Sequence, residues 1–373
     1  MNKPKLFFYG VKYFPSRGGT SRVVENIITN LKDKYDITIL CYRNKQAPDY
    51  LPDVKVIQFS DWPGGSLGAL FYFFRSALYL LLFKQFDLIH IHKIDAAIFI
   101  PWFYRKSKVI ATSHESAYLR DKWSKLERKF LLFSEHIFIH SKATVTCISN
   151  PLTVTYKEKY GRDVLYIPNG ITIKSNYKEE KAQQFLKKYD LSEKQYIFFA
   201  ARRIMKTKGC HTMLEALNRI KFKGNIVIAG DLSHAPAYVK ELQTTYSHLN
   251  TIYTGYIGDL PLLLTLIKKA QYFIFPSETE GMSIMLLEAA STLTPIICSD
   301  IKENREVFDD RHLTFFKNMS AEDLGDKIKQ ANSAPHQLQA KAEAAVAHIK
   351  NKYSWKNIAD MYHQLYQQEL HSN

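Results

Sequence analysis

Tyr272-Phe-Ile-Phe-Pro-Ser-Glu-Thr-Glu280-Gly-Met-Ser283-Ile284-Met-Leu-Leu-Glu288 compresses a strand, a loop and the start of a helix into one short stretch. The apolar run Tyr272 to Phe275 has strand length and stops at Pro276. From Ser283 to Thr294 the chain is apolar-rich and free of Gly and Pro, which predicts a helix. Gly281-Met282-Ser283-Ile284 makes the turn into that helix: the glycine lets backbone approach a ligand, and the amides of Ser283 and Ile284 fall at the helix start. Free N–H groups and the positive end of a helix dipole suit a diphosphate. Glu280 sits at the loop tip, and Glu288 lies on the same helix face as Ile284.

The same unit recurs outward in both directions. Strand-like runs are expected at Leu6–Tyr9, Ile37–Cys41, Val54–Phe59, Leu88–His92, Val109–Thr112, Val145–Ile148 and Val164–Ile167. They continue at Tyr196–Ala201, Ile226–Ala229, Thr251–Tyr253, Tyr272–Phe275, Ile296–Cys298 and Leu313–Phe316, with helical segments between. Near-continuous apolar strands alternating with helices predict an α/β protein whose parallel sheets are covered on both faces. Residues 174–194 interrupt the pattern with a Lys/Glu-rich stretch after Pro168-Asn169-Gly170. The expected organisation is a Rossmann-like domain at 1–173, a link at 174–194 and a second Rossmann-like domain at 195–352. A last helical segment, 353–373, packs back toward the first domain. Two doubly wound sheets facing across a cleft would place their strand ends at a common ligand site.

Bulk properties narrow the chemistry. A chain of 373 residues, 46% hydrophobic and 23% charged, builds substantial cores. Cys41, Cys147, Cys210 and Cys298 are far apart and form no C-x-x-C pair, so neither a disulfide framework nor a zinc site is expected. A reducing, cytoplasmic compartment follows, and the opening Lys5–Tyr9 run lacks the features of a signal peptide. Of the net charge of +15, residues 1–172 contribute a surplus of 11 cations. That asymmetry predicts an anionic partner for the first half, and without a nucleic-acid-binding signature the expectation is a membrane surface or a phosphorylated acceptor, with no nucleic acid. Leu67 to Phe83 is apolar but carries Arg75 and falls short of the roughly 20 residues needed to span a bilayer. It is expected as a buried or interfacial helix.

Three further stretches carry candidate chemistry. Gly18-Gly19, after the first strand and before a helix near Thr20, lets backbone amides reach a phosphate or sugar oxygen. Arg202-Arg203-Ile-Met-Lys206-Thr-Lys208-Gly209 follows the first strand of the second half. Arg203 and Lys208 are its leading diphosphate ligands, since Arg offers forked donors and Lys a point charge, with Arg202 and Lys206 in reserve. His114, at a strand end, is a candidate for contact with a reacting sugar or for proton transfer. His90 and His92 alternate with isoleucines and are expected to be structural, His92 being the better candidate for the cleft. No H-E-x-x-H or comparable ligand spacing and no Asp-x-Asp occurs, so no metal and no cofactor are expected. Carboxylates flanking an anion cradle fit a phosphate with hydroxyl-rich groups on both sides, as in a nucleotide-sugar.

The ordered set Gly18-Gly19, His114, Pro168-Asn169-Gly170, Arg203…Lys208-Gly209, Pro276-Ser277 and Glu280-x7-Glu288 resembles the family-4 retaining glycosyltransferases of the GT-B fold. The segments Tyr118–Phe130 and Thr207–Thr212 further resemble bacterial, rhamnosyltransferase-like enzymes of surface-polysaccharide assembly. The resemblance implies a hexosyltransferase-type enzyme of capsule or O-antigen synthesis. In it Arg203 and Lys208 neutralise the donor diphosphate, Glu280 holds sugar hydroxyls and Glu288 the ribose diol. Gly18, Gly19 and the amides near Ser283 and Ile284 would complete the phosphate cradle, with His114 beside the donor sugar. Such enzymes work without a metal. Gly281-Met282-Ser283 where many members have Gly-Phe-Gly, Thr294 for a common glycine and Arg202 for another leave the donor sugar open.

The basic, aromatic segment Arg120, Lys122, Trp123, Lys125, Arg128 and Lys129 is expected to rest on the inner leaflet, presenting the cleft to a polyprenyl-diphosphate-linked glycan. A nucleotide-sugar epimerase on the same fold, and a non-catalytic nucleotide-sugar-binding subunit, are the alternatives.

Overall fold

The structure, a computed structural model, describes residues 3–16, 18–44, 50–115, 118, 123–173 and 176–372. Of the residues singled out above, Arg120 and Lys122 lie outside that set. The chain divides into two compact units: residues up to Gly170 together with those from Trp355 on, and Ile171–Ser354.

The first unit is built on β1 (Lys5–Tyr9), β2 (Asp36–Tyr42), β3 (Lys55–Phe59), β4 (Leu88–His92), β5 (Lys108–Ser113), β6 (Thr144–Cys147) and β7 (Leu165–Tyr166). All pair in parallel, in the order β3-β2-β1-β4-β5-β6-β7. The order reverses at β1 and β4, the position where open α/β sheets bind ligands. The crossovers are α1 (Gly19–Leu31), α2 (Gly65–Phe83), an apolar segment Ile94–Phe103, α3 (Lys125–His140) and α4 (Asn150–Tyr160). Every residue of β4 is buried, histidines included, because helices cover both faces of the central strands.

The second unit repeats the plan. Its strands are β8 (Tyr196–Arg203), β9 (Asn225–Asp231), β10 (Thr251–Gly255), β11 (Tyr272–Phe275), β12 (Ile296–Ser299) and β13 (Thr314–Phe316), in the order β10-β9-β8-β11-β12-β13. Its helices are α5 (Glu179–Lys188), α6 (Cys210–Arg219), α7 (Pro236–Thr245), α8 (Leu260–Lys269), α9 (Ile284–Ala290), α10 (Lys302–Val307), α11 (Ala321–Ser333) and α12 (Pro335–Lys352). Two expectations need correcting here. The polar stretch 174–194 contains α5, which buries Ala182 and Leu186 and counts with the second unit. The helix expected to run from Ser283 to Thr294 is shorter, because hydroxyl groups end it: Ser291 Oγ donates to the Glu288 carbonyl and Thr292 Oγ1 to that of Ala289.

The chain then returns. α13 (Trp355–His371) belongs to the first unit, where it lies against α1 and buries Trp355, Ile358, Tyr362 and Tyr366. Polar contacts fix it: Tyr35 Oη meets His363 Nδ1 at 2.8 Å, and Thr144 Oγ1 donates to Glu369 at 2.5 Å. All four cysteines are buried thiols.

Candidate functional site

The second unit brings two of the expected ligands together. β8 runs two residues past the apolar stretch, through Arg202 to Arg203, because its register against β9 shifts between Ala200 and Arg203. A 3-10 turn, Lys206–Lys208, follows and closes at Gly209 with φ +69°. A Cβ on Gly209 would lie 1.9 Å from the Pro276 carbonyl oxygen, so only glycine allows the loop after β8 to lie on the loop after β11. The Glu278 amide donates to the Thr207 carbonyl at 3.0 Å and ties the two loops. Across this seam Lys208 Nζ donates to Glu280 Oε1 at 2.6 Å, with the side chains 26% and 12% exposed.

Below the seam the loop after β11 is held from beneath. Ser299 Oγ donates to the Ser277 carbonyl at 2.6 Å, and Asn304 Nδ2 donates to the Ser299 carbonyl at 3.1 Å. All three residues are buried. Asn318 Nδ2 reaches the Glu278 carbonyl at 3.3 Å, and His211 Nε2 lies 3.2 Å from Glu278 Oε1. Burial pushes the Glu303 carboxyl up, and the Glu280 charge adds to the effect. Burial, then Lys206, lowers the His211 imidazole.

α9 begins at Ser283, whose Oγ accepts from the Leu286 amide at 3.3 Å. Capping uses that amide, and the helix's earlier N–H groups have no acceptor within the helix itself. Met282, Ile284 and Glu288 are buried, Gly281 half-buried. Glu288 stands one turn from Ile284 on the inner face of α9, so it is no solvated surface carboxylate. Arg203 and Lys208 are half-buried, Arg202 and Lys206 exposed.

The first unit holds the remaining candidates. Gly18 caps α1 in extended backbone and Gly19 opens it. A Cβ on Gly19 would meet no atom within 4 Å, so nothing in the packing asks for glycine there. His114, at the end of β5, places Nε2 3.0 Å from His92 Nδ1. The His92 ring is 4.0 Å from that of His90, which joins Tyr366 Oη through Nδ1 and Thr112 Oγ1 through Nε2, both at 2.7 Å. Burial lowers all three histidines, His114 to about 3 with Lys93 contributing, and His90 and His92 well below the usual range. All three are therefore neutral at physiological pH.

Neutrality fixes what His114 can offer. His92 Nε2 is buried and meets no hydrogen-bond partner among the described residues. A buried N–H left unpaired costs about 1–3 kcal/mol, more than a bare lone pair. The His92 proton therefore belongs on Nδ1, donated to His114 Nε2, and His114 keeps its own proton on Nδ1. A neutral imidazole of this kind donates one hydrogen bond. It is poorly matched to general-base work, which needs a pKa near the operating pH.

Around Lys208, Glu280 and Glu288, the residues singled out in the sequence, stand others that the sequence reading did not name: Ser299 and Asn304 beneath the loop after β11, Glu303, and the His211–Glu278 pair. Glu303 and Asn304 follow the end of β12, so the strand-end rule could have flagged them. Among the described residues no group of three or more His, Cys, Asp or Glu is gathered as for a metal.

Two family descriptions match the chain in tandem, Glycosyltransferase Family 4 over residues 17–175 and Glycosyl transferases group 1 over residues 181–352. The chain is 26% identical over 191 residues to a putative teichuronic acid biosynthesis glycosyltransferase, TuaC, of Bacillus subtilis, covering 51% of this chain and 47% of that one. It thus spans about half the length of that relative. To the UDP-Gal:alpha-D-GlcNAc-diphosphoundecaprenol alpha-1,3-galactosyltransferase of Escherichia coli it is 27% identical over 327 residues, 80% of this chain and 81% of that one. In three dimensions it is similar to Anabaena Alr3699/HepE, solved with UDP and glucose, at a TM-score of 0.79 and 17% identity, covering 98% and 100% of the two chains. The shared fold is GT-B.

Proposed function

Since the chain is a GT-B-fold glycosyltransferase related to bacterial enzymes of surface-polysaccharide assembly, we propose that it moves a hexose-type sugar from a nucleoside-diphosphate donor to a growing, polyprenyl-diphosphate-linked glycan. On this reading it acts at the cytoplasmic face of the membrane, with retention at the anomeric carbon and without a metal. The undecaprenol-linked acceptor in the name of the Escherichia coli relative supports the acceptor class.

The observation that carries the reading is the Lys208–Glu280 contact at 2.6 Å across two loops that follow the switch-point strands β8 and β11. A bound diphosphate would take Lys208 and Arg203 as counter-ions, and Glu280 would turn to the sugar hydroxyls. Transfer breaks the bond between the anomeric carbon and a phosphate oxygen, and negative charge grows on that oxygen. Cationic donors fixed in advance stabilise that charge most in the transition state. Glu288 would take the ribose diol, the amides of Gly281 to Ile284 the phosphates, and Gly18, Gly19 and the His114 N–H the donor from the first unit.

Incubating the protein with a panel of nucleotide-sugars and lipid-linked acceptors, and identifying products by mass and NMR, tests the proposal. A glycosylated acceptor is the expected product; an epimerised donor formed without acceptor would favour an epimerase instead. Lys208→Ala and Glu280→Ala should each lower kcat/KM at least tenfold, about 1.4 kcal/mol of barrier. Near-parental turnover in both would remove the site assignment.

A further inference from the structure

One surface is left unexplained by sugar transfer. α2 buries Tyr72, Phe73, Ser76, Ala77 and Leu80 in the first unit, as the inner face of a crossover helix should. Its outer face is apolar as well. Leu67, Phe71, Phe74, Leu78 and Leu82 recur at spacings of three and four and are 40–63% exposed. They form one stripe along the helix, about 22 Å long at 1.5 Å per residue. Trp102, itself exposed, sets its ring 6.0 Å from Phe74 and widens the stripe, and Trp62, 73% exposed, stands ahead of the helix start. Monomeric proteins rarely leave so continuous an apolar strip in water.

The charge around the stripe says what covers it. Lys84, Arg105 and Lys106 gather at its C-terminal end, where Lys106 Nζ donates to the carbonyls of Leu81 and Lys84. Arg75, mid-helix, turns its guanidinium to the carbonyls of Ser60 and Trp62, at 2.8 and 3.3 Å. No carboxylate occurs from Trp62 to Phe86, so a second copy meeting this strip with its own would bring those cations no counter-charge. Apolar side chains backed by cations and flanked by tryptophans match the boundary of an anionic lipid leaflet. α2 is long and apolar enough to cross a membrane, but its inner face is committed to the first unit.

We propose that the outer face of α2, with Trp62 and Trp102, is a docking surface for an anionic lipid bilayer. The helix lies in the plane of the leaflet, its stripe among the acyl chains and Lys84, Arg105 and Lys106 at the headgroups. The surface differs from the basic segment around Lys125 and Lys129, and it stands whichever sugar and acceptor the enzyme uses.

Co-sedimentation of the full chain with phosphatidylglycerol-containing vesicles, compared with phosphatidylcholine vesicles, tests it without any turnover. Parental protein should prefer the anionic vesicles. The double variant Phe74→Glu, Leu78→Glu should lose at least tenfold in partitioning while keeping the parental unfolding midpoint, since both side chains already face solvent. Brominated lipids should quench tryptophan fluorescence in the intact protein, and Trp62→Phe with Trp102→Phe should remove most of that quenching. Parental binding by the Phe74→Glu, Leu78→Glu protein overturns the proposal, above all if Lys125→Glu with Lys129→Glu abolishes binding instead. A lipid-indifferent dimer that the same glutamates split would assign the stripe to a second copy, and would equally overturn it.

Discussion

The two sheets are wound in the same order, yet their strand ends carry opposite chemistry. At the ends of β4 and β5 stand buried, neutral imidazoles, His92 and His114, that hydrogen-bond one another, with His90 behind them joined to the returning helix α13. At the ends of β8 and β11 stand a lysine and a glutamate, partly in water and paired. Water access explains the contrast. A charge buried without a partner is too costly to keep, so the dry layer of the first unit is neutral. The loops of the second unit keep full charges because solvent reaches them. Neutral imidazoles can offer single hydrogen bonds, and solvated charges can attract ions, so the two strand-end regions differ in the chemistry open to them.

The sharpest way to break the comparison is Gly209→Ala. An L-residue there meets both a left-handed backbone and the Pro276 carbonyl at 1.9 Å, so the two loops must separate. The Lys208–Glu280 contact depends on their spacing. We expect kcat/KM to fall about 100-fold, equivalent to about 2.7 kcal/mol, in a protein that still folds. Parental kinetics would mean that the seam between the loops does not organise the charges.

The second test falls on the neutral layer. The folded pKa values of His90, His92 and His114 lie below that of a free histidine. Their neutral form is therefore favoured by folding, and their contribution is fully present above about pH 6.5. It is lost as pH falls toward the folded values, because the unfolded chain takes up protons that the folded one refuses. Each such histidine removes up to about 1.4 kcal/mol per pH unit in that window. Urea unfolding near pH 6.5 and pH 5 should show a shallower pH slope for His114→Phe than for the parent, by about one proton. Equal slopes would mean that His114 titrates like a solvated histidine.

How much of this was legible follows the same division. The thirteen strands among the described residues fall where apolar runs predicted them; most are buried on both faces and need no alternation to be seen. The ends are less exact. β8 continues through Arg202 and Arg203 on a register shift that no composition announces. α5 was hidden because only Ala182 and Leu186 of its residues are buried, too thin a stripe to stand out from Lys and Glu. Lys208 and Glu280 were readable as charges in loops that follow strands, and Glu288 as a carboxylate one turn into the next helix. Ser299 was not, since one polar residue closing an apolar strand has no period and acts only through a contact made in space. The link from His92 to His114 required the register of β4 on β5, where Ile91 pairs with Ala111 and His92 with Thr112.

A third measurement separates the roles open to His114. If its Nδ1–H is what a ligand meets, Asn at 114 places an amide nitrogen near that position, whereas Gln extends toward Nε2. His114→Asn should retain most of the parental kcat/KM, and His114→Gln should lose about tenfold, about 1.4 kcal/mol. The reverse ranking would put the working proton on Nε2 and undo the tautomer argued from His92. Loss in both would point to the ring itself.

The smallest effect is the most discriminating. Gly19 opens α1 and Gly209 closes the 3-10 turn after β8, but of the two only Gly209 is required by the protein's own packing. Alanine at 19 meets no atom within 4 Å, and in a helix alanine is favoured over glycine by up to about 1 kcal/mol. Gly19→Ala should therefore leave the unfolding midpoint unchanged or slightly raised, while the donor KM rises several-fold because the new methyl occupies space reserved for a ligand. If donor binding is also unchanged, the Gly18-Gly19 turn is no part of a phosphate cradle. The charged loops of the second unit would then have to hold the diphosphate by themselves.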